Sequence, residues 1–447
     1  MPPDAALGVP SGGGAQWFTL GQPGALPAVA RMVAGGQVPH ALMLVGPASV
    51  GKTTLADDLA AGLLCTAPEP TDRPCRACRA CRMVASGNHP DVHRLAPEGP
   101  AGQIVIGDPD DPRKPRGVRN LLRELVFLPM EGGARLAIVE GASQLNEDAQ
   151  HALLKTLEEP TGGIVIVLCV DDEALLLPTV RSRCARLRLG RTGPREIETI
   201  LAERGLADPT VASRLARIAE GRPGVAVAYA RAPETVQLRA EIARTLLDLL
   251  AVGRAGRLRA IREVVVRAGE LAETLAGPVP VAPTPVRGRR SPAGRRVAAS
   301  GADLATASGT RPATEPAADS GAQADSLADA APGATEATDA TDGAATLGES
   351  RKVAPAERRR AARQLLEIWR DVGRDLAVIG VGGRTMLRDP GLLEELTGAA
   401  QCLPGGAIGP FLVRLDHVAE LVAGNVSPEL ALDVLVLAWP MGNRSAA

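Results

Sequence analysis

The sequence predicts an α/β domain built on a parallel sheet and followed by helical regions, and three observations predict it. Ala41 to Val45 is a short apolar run, too brief for a helix and bounded by a turn signal, so it reads as a buried strand. It leads into Gly46-Pro47-Ala48-Ser49-Val50-Gly51-Lys52-Thr53, which fits G-x-x-x-x-G-K-[ST], and then into an amphipathic helical run ending near Cys65. Farther on, strand-like runs at 135–140 (RLAIVE) and 164–170 alternate with helical-period stretches at 118–128 and 146–159, joined by short turns. Such alternation is the pattern of a parallel sheet flanked by helices.

The glycine-bounded loop has a specific chemistry. A polyphosphate must meet several backbone N–H groups at close range, which calls for glycines; Lys52 adds a cation and the Thr53 hydroxyl a magnesium ligand. The helix that follows adds its positive N-terminal end. A bare Gly-rich turn could match the pattern by chance, but a strand before and a helix after are the context a nucleotide loop requires. Gly46 through Thr54 are therefore the candidate ATP- or ADP-binding residues. In open parallel sheets ligands sit at the carboxyl ends of strands, where Glu140 would emerge beside the loop and could hold magnesium.

The chain has 447 residues, too many for one ordinary core. Its formal charge of −1 supplies no global field toward nucleic acid, so any such contact would be a local patch or come through partners. Aromatics at 2%, with abundant Ala, Gly, Pro and Arg, look like compositional bias. No run reaches the length of a membrane span, and the N-terminus lacks a basic-then-apolar signal, so a cytoplasmic location is expected. Seven cysteines without a signal point to thiol or metal chemistry over disulfides.

In order, residues 1–14 are expected to be a disordered tail, and 26–35 is a helical-period stretch leading into the loop strand. Cys65, Cys75, Cys78 and Cys81 follow as C-x9-C-x2-C-x2-C, with Arg73, Arg76, Arg79 and Arg82 interleaved. Four thiolates can close on one tetrahedral zinc, and such a closed site is structural because no coordination position stays open. Free or disulfide cysteines are the blander alternative. His89 and His93 are close by, but four sulfurs already fill a zinc, so both are expected at the surface. Residues 88–117 read as loop around one strand at 103–106. Residues 176–184 (LLPTVRSRC) close the first domain, and an arginine pair there, taken alone, is a solvated surface. Short amphipathic helices are expected over 194–230 and a longer helical stretch over 233–275. Residues 277–352, opening with RGRRSPAGRR and continuing acidic, cannot bury enough apolar surface to order and are expected to form a disordered insertion. Helical periodicity returns over 356–438.

The order Gly21-Gln22, His40-Ala41, GPASVGKTTLA, four cysteines, ALLKTLEEP and RSRC resembles the ATPase subunits of the bacterial DNA polymerase III clamp loader over residues 16–230. The resemblance implies a P-loop AAA+ module (15–190) with parallel sheet and inserted zinc module (65–81). It also implies a small helical lid (191–232) and an all-α collar domain (233–276 and 353–447). Five subunits would assemble through such collars into a ring that opens the sliding clamp and places it on primer-template DNA. The implied partners are the gamma/tau and delta subunits, with no membrane. Ser182-Arg183-Cys184 resembles the signature whose arginine reaches a neighbour's ATP, making Arg183 the residue that would act catalytically, in trans. The motor-subunit pattern is departed from at three points. Gly141 follows Glu140 where two acids are expected, no Thr or Asn sensor stands at 169–172, and Gly224 occupies the place of a sensor arginine. These departures imply a member that binds ATP or ADP, hydrolyses it poorly and acts as a stator. The alternatives are an active gamma/tau-like motor ATPase of the same machine, and a zinc-dependent nucleic-acid-binding module.

Overall fold

A computed structural model describes residues 14–98, 102–111, 113–131, 133–160, 162–275, 354–424 and 426–442. The expected insertion at 277–352, and all but the last residue of the expected tail at 1–14, lie outside the described residues. The α/β part runs α1 (Ala25–Gly35), β1 (Ala41–Val45), α2 (Lys52–Leu64), α3 (Arg79–Ala85), β2 (Val92–Leu95), α4 (Val118–Leu125), β3 (Arg135–Val139), α5 (Glu147–Glu158), β4 (Ile164–Val170), α6 (Pro178–Arg181) and β5 (Ala185–Arg188). Its five strands form one sheet in the order β2-β3-β4-β1-β5, every pair parallel.

Period-two alternation sorts the strand residues onto two faces. Leu42, Leu44, Ile138, Val167 and Cys169 pack with Val29, Val33, Leu55 and Leu59 of α1 and α2. Ala41, Met43, Val139, Ile166 and Leu168 pack with Leu121, Leu125, Leu153 and Leu157 of α4 and α5. Covered on both sides, β3 and β4 are buried along their whole length, which is why they read as unbroken apolar runs. Because β4 lies between β1 and β3, the loop after β1, Glu140 after β3 and Asp171 after β4 converge at the carboxyl end of the sheet.

The structure corrects several expectations. Residues 103–106 are not a strand; Gln103 and Ile104 make isolated bridges to Glu98 and Leu145. The edge strand is β2, in register with β3 from Val92–Leu136 to Leu95–Val139. Its VHRL sequence is short and half polar, and the surrounding prolines mask it. The helix at α4 ends at Leu125, and Val126, Phe127, Leu128 and Met130 after it are largely exposed.

The helical part comprises α7 (Pro194–Glu203), α8 (Pro209–Ala219), α9 (Pro223–Arg231), α10 (Pro233–Asp248), α11 (Arg254–Leu275), α12 (Pro355–Gly380), α13 (Leu393–Gln401), α14 (Ile408–Ala423) and α15 (Pro428–Leu437). Proline opens six of these nine helices, α7 to α10, α12 and α15, where its missing N–H costs nothing and its fixed φ suits the first turn. One apolar cluster runs from Ile197 to Trp439. At its centre Trp369, Phe411 and Trp439 meet with ring centroids 4.5 to 5.5 Å apart. Buried Arg257 closes this assembly by donating to the carbonyls of Leu249, Val252, Trp439 and Pro440, groups at helix ends that have no intrahelical partner.

Candidate functional site

The loop after β1 is shaped by steric necessity. A Cβ on Gly46 would lie 2.3 Å from the carbonyl oxygen of Leu189, and its N–H is held by Val170 (3.1 Å), so only glycine fits. Gly51 opens α2 at φ +105, a left-handed value that favours glycine. The Lys52 ammonium is folded back onto the loop. It donates to the carbonyls of Gly46 (2.8 Å) and Pro47 (2.7 Å) and pairs with Asp171 Oδ1 at 2.6 Å.

A cavity of about 700 Å³ opens over this loop. Ala48 to Thr54 and Glu140 line it, as do Phe18 and Thr19 from the N-terminal segment and Arg222 and Gly224 from the helical part. Ala48 to Thr54 and Glu140 thus share one cavity, while Gly46 and Pro47 stand outside its lining and meet it through their carbonyls on Lys52. Glu140 accepts from Arg94 (3.1 Å), which also pairs with buried Asp57 of α2. Gly141 sits at φ +61 with Pro97 3.1 Å from its would-be Cβ, so a second acid after Glu140 would be strained. Gly224 donates its N–H to the Ser49 carbonyl (3.0 Å), and a side chain there would press on Ser49 at 3.1 Å. Two residues earlier, Arg222 donates to Glu367 of α12 (3.0 Å).

Burial pushes Asp57 from its ordinary 3.8 up to about 6, outweighing the attraction of Arg94. A carboxyl whose folded value is raised contributes stability that is complete below its unfolded value of 3.8 and is lost as pH rises through about 6. Asp57→Asn removes that titration. The urea midpoint of the variant is expected to fall less than that of the wild type between about pH 4 and 7, with the remaining slope coming from the other carboxyls that burial raises, Asp58, Asp371 and Asp375. Equal slopes would show that Asp57 does not titrate there.

The four predicted cysteines also converge. Cys65 caps the end of α2, Cys78 caps the start of α3, and all four sulfurs lie within 4.8 Å of one another. Sulfurs at 2.3 Å from a tetrahedral zinc are about 3.8 Å apart, so the cluster fits a metal after a small contraction. Backbone N–H groups of Ala67, Cys75, Cys78 and Cys81 each approach a cluster sulfur at 3.4 Å, the arrangement that favours thiolates. Burial pushes the Cys65 and Cys81 thiols up, whereas at Cys78 hydrogen bonds from Cys81 and Thr66 overcome burial and bring it down to about 6.

The histidines differ from expectation. His89 is buried, with Nδ1 accepting from the Asp91 N–H (3.2 Å), and burial holds its pKa below the ordinary 6.5. His93 is half-buried against Glu124 at 2.9 Å. Both are drawn inward because Asp91 and β2 sit against the sheet; neither joins the sulfur cluster.

Arg183 stands apart. It follows α6, donates to the Thr179 carbonyl (2.9 Å), pairs with Glu158 at 2.6 Å and lies outside the lining of the chain's own cavity.

Residues 21–192 match the family model described as DNA polymerase III, delta subunit. DNA polymerase III subunit delta' of Pseudomonas aeruginosa is 39% identical over 147 residues, covering 33% of this chain and 42% of that protein. The chain resembles the delta-prime subunit of bacterial DNA polymerase III. The Bacillus subtilis delta' subunit is 30% identical over 186 residues, 42% of this chain and 53% of the relative. The tau subunit of Escherichia coli is 31% identical over 192 residues, 42% of this chain and 28% of that protein. The chain thus spans about half or less of the length of these relatives. A gamma-subunit-related protein of Thermotoga maritima aligns over 93% of this chain and 98% of its own at 14% identity, with a TM-score of 0.35, too loose to carry an argument.

The delta-prime-like segment contains the loop, all four cluster cysteines and Arg183. Three residues of the site carry no motif: Asp171, Arg94 and Arg222. Only Asp171 leaves a sequence signal, as an acid placed directly after a fully buried strand.

Proposed function

We propose that this chain is a delta-prime-like stator of the DNA polymerase III clamp loader. In this reading it binds ATP or ADP with magnesium, turns it over slowly, and supplies Arg183 to a motor neighbour while the assembled ring places a sliding clamp on primed DNA. Gly141 carries the reading: its left-handed backbone leaves Glu140 without a neighbouring acid, and Arg94 already engages Glu140. The loop retains binding groups while the groups that would stabilise a hydrolytic transition state are missing.

On binding, Lys52 would exchange the Gly46 and Pro47 carbonyls for phosphate, and the Thr53 hydroxyl would hold the magnesium that offsets polyphosphate charge. Residues 191–232 act as the lid, with Gly224 resting on Ser49; 233–276 and 353–447 act as the collar that meets gamma/tau and delta subunits in a five-membered ring. The cysteines hold structural zinc. The chain works in the cytoplasm and reaches DNA and the clamp mainly through the assembly.

Single-turnover hydrolysis by the purified chain is expected to run far below the roughly 10 s⁻¹ of a median enzyme. A rate near that value, abolished by Lys52→Ala, would instead establish the motor reading, which the intact loop and the match to tau favour.

A further inference from the structure

The cysteine cluster and the nucleotide cavity share a wall. Arg76 lies between Cys75 and Cys78 with its backbone at φ +56. Its guanidinium stacks over the Phe18 ring at 4.1 Å, donates Nε to the Gln16 carbonyl (2.8 Å) and pairs with Asp58. Asp58, fully buried on α2, in turn accepts from the backbone N–H groups of Phe18 (3.2 Å) and Thr19 (2.8 Å). The Gln16 N–H donates to Pro74 (2.8 Å), inside the same knuckle. A few residues on, Gln22 donates to the Val50 carbonyl of the loop (3.3 Å). Phe18, Thr19 and Leu20 line the cavity, and with the phosphates assigned to Lys52 and the loop N–H groups, this segment is left to face the nucleoside.

We propose that Arg76 is a positioning residue that makes the nucleoside wall, Phe18 to Leu20, depend on a folded, metal-loaded cysteine knuckle, so that metal occupancy sets nucleoside affinity. The inference rests on the nucleotide-binding reading above. Metal binding fixes the backbone on both sides of Arg76 through Cys75 and Cys78. Without it, the guanidinium loses its aim and Asp58 is left as a buried charge with two N–H groups and no cation. The wall then has no fixed partner, while the loop around Lys52 keeps its contacts with Val170 of β4 and with Leu189, and Gln22 stays anchored at Gly190.

The test compares ADP with inorganic tripolyphosphate, which fills the phosphate loop alone, using equilibrium binding to the full chain and metal content by elemental analysis. Arg76→Ala, still carrying its metal, and wild type stripped by a chelator are each expected to bind ADP on the order of tenfold more weakly while tripolyphosphate affinity stays within about twofold. Arg76→Lys, which returns a cation to Asp58 without the planar fork, recovers part of the ADP affinity. Should Arg76→Ala fail to fold, the chelator-stripped wild type and Arg76→Lys carry the comparison. Equal ADP affinity in these variants, or parallel loss of ADP and tripolyphosphate, overturns the coupling alone. Failure of metal-loaded wild type to bind ADP at all, matching Lys52→Ala, overturns the nucleotide reading and this one with it.

Discussion

Arg183→Ala is expected to slow hydrolysis at the neighbouring subunit's site by about 10³- to 10⁵-fold in the reconstituted complex, the range seen when an arginine supplied in trans is lost. Two structural facts shape this expectation. Arg183 lies outside the lining of its own chain's cavity, so ADP affinity of the isolated chain should not change. Its one carboxylate partner among the described residues, Glu158, is 48% exposed, and exposed pairs are worth little, about 0 to 1 kcal/mol, so release toward a neighbour is easy. Pre-steady-state phosphate release reads the result: the burst should lose the contribution of one site. An unchanged burst would remove Arg183 from this role.

The second large effect is expected at the sulfur cluster. Cys65→Ser should take bound metal from about one equivalent to none and lower the melting transition of the α/β part by on the order of 10 °C, since a structural metal site contributes folding free energy directly. The reason is positional. Cys65 ends α2, the helix that carries Lys52, and Cys78 starts α3, so one metal ties the loop helix to the knuckle packed on it. The helical cluster from Ile197 to Trp439 shares no residue with the cysteines and should melt as before. A metal-free variant with an unshifted transition would reduce the cluster to an ornament on the fold.

What could be read in the sequence follows from the range of the forces involved. The phosphate loop and the four cysteines are legible because their chemistry demands fixed local spacing, and the sheet is legible through β1, β3 and β4, whose burial on both faces leaves continuous apolar runs. The edge strands β2 and β5 are not, because four residues with one face toward solvent carry too little periodicity. His89 was expected outside and lies inside, because burial there is decided by β2 docking, a contact made over forty-odd residues with β3. Arg76 and Arg222 look like ordinary surface charges until folding brings Asp58 and Glu367 to them.

The packing of α11 against α12 also bears on how the chain tolerates change. Gly269 approaches Ala361 so closely that an added Cβ would sit 3.4 Å from it, and Ile261, Val264 and Leu271 share one cluster with Ala362 and Leu365. Those contacts hold the two helices together. Were the chain severed anywhere between them, α11 and α12 would have to meet from solution, and the helical cluster, with the tryptophans at its centre, would become a two-piece complex whose integrity depends on dilution.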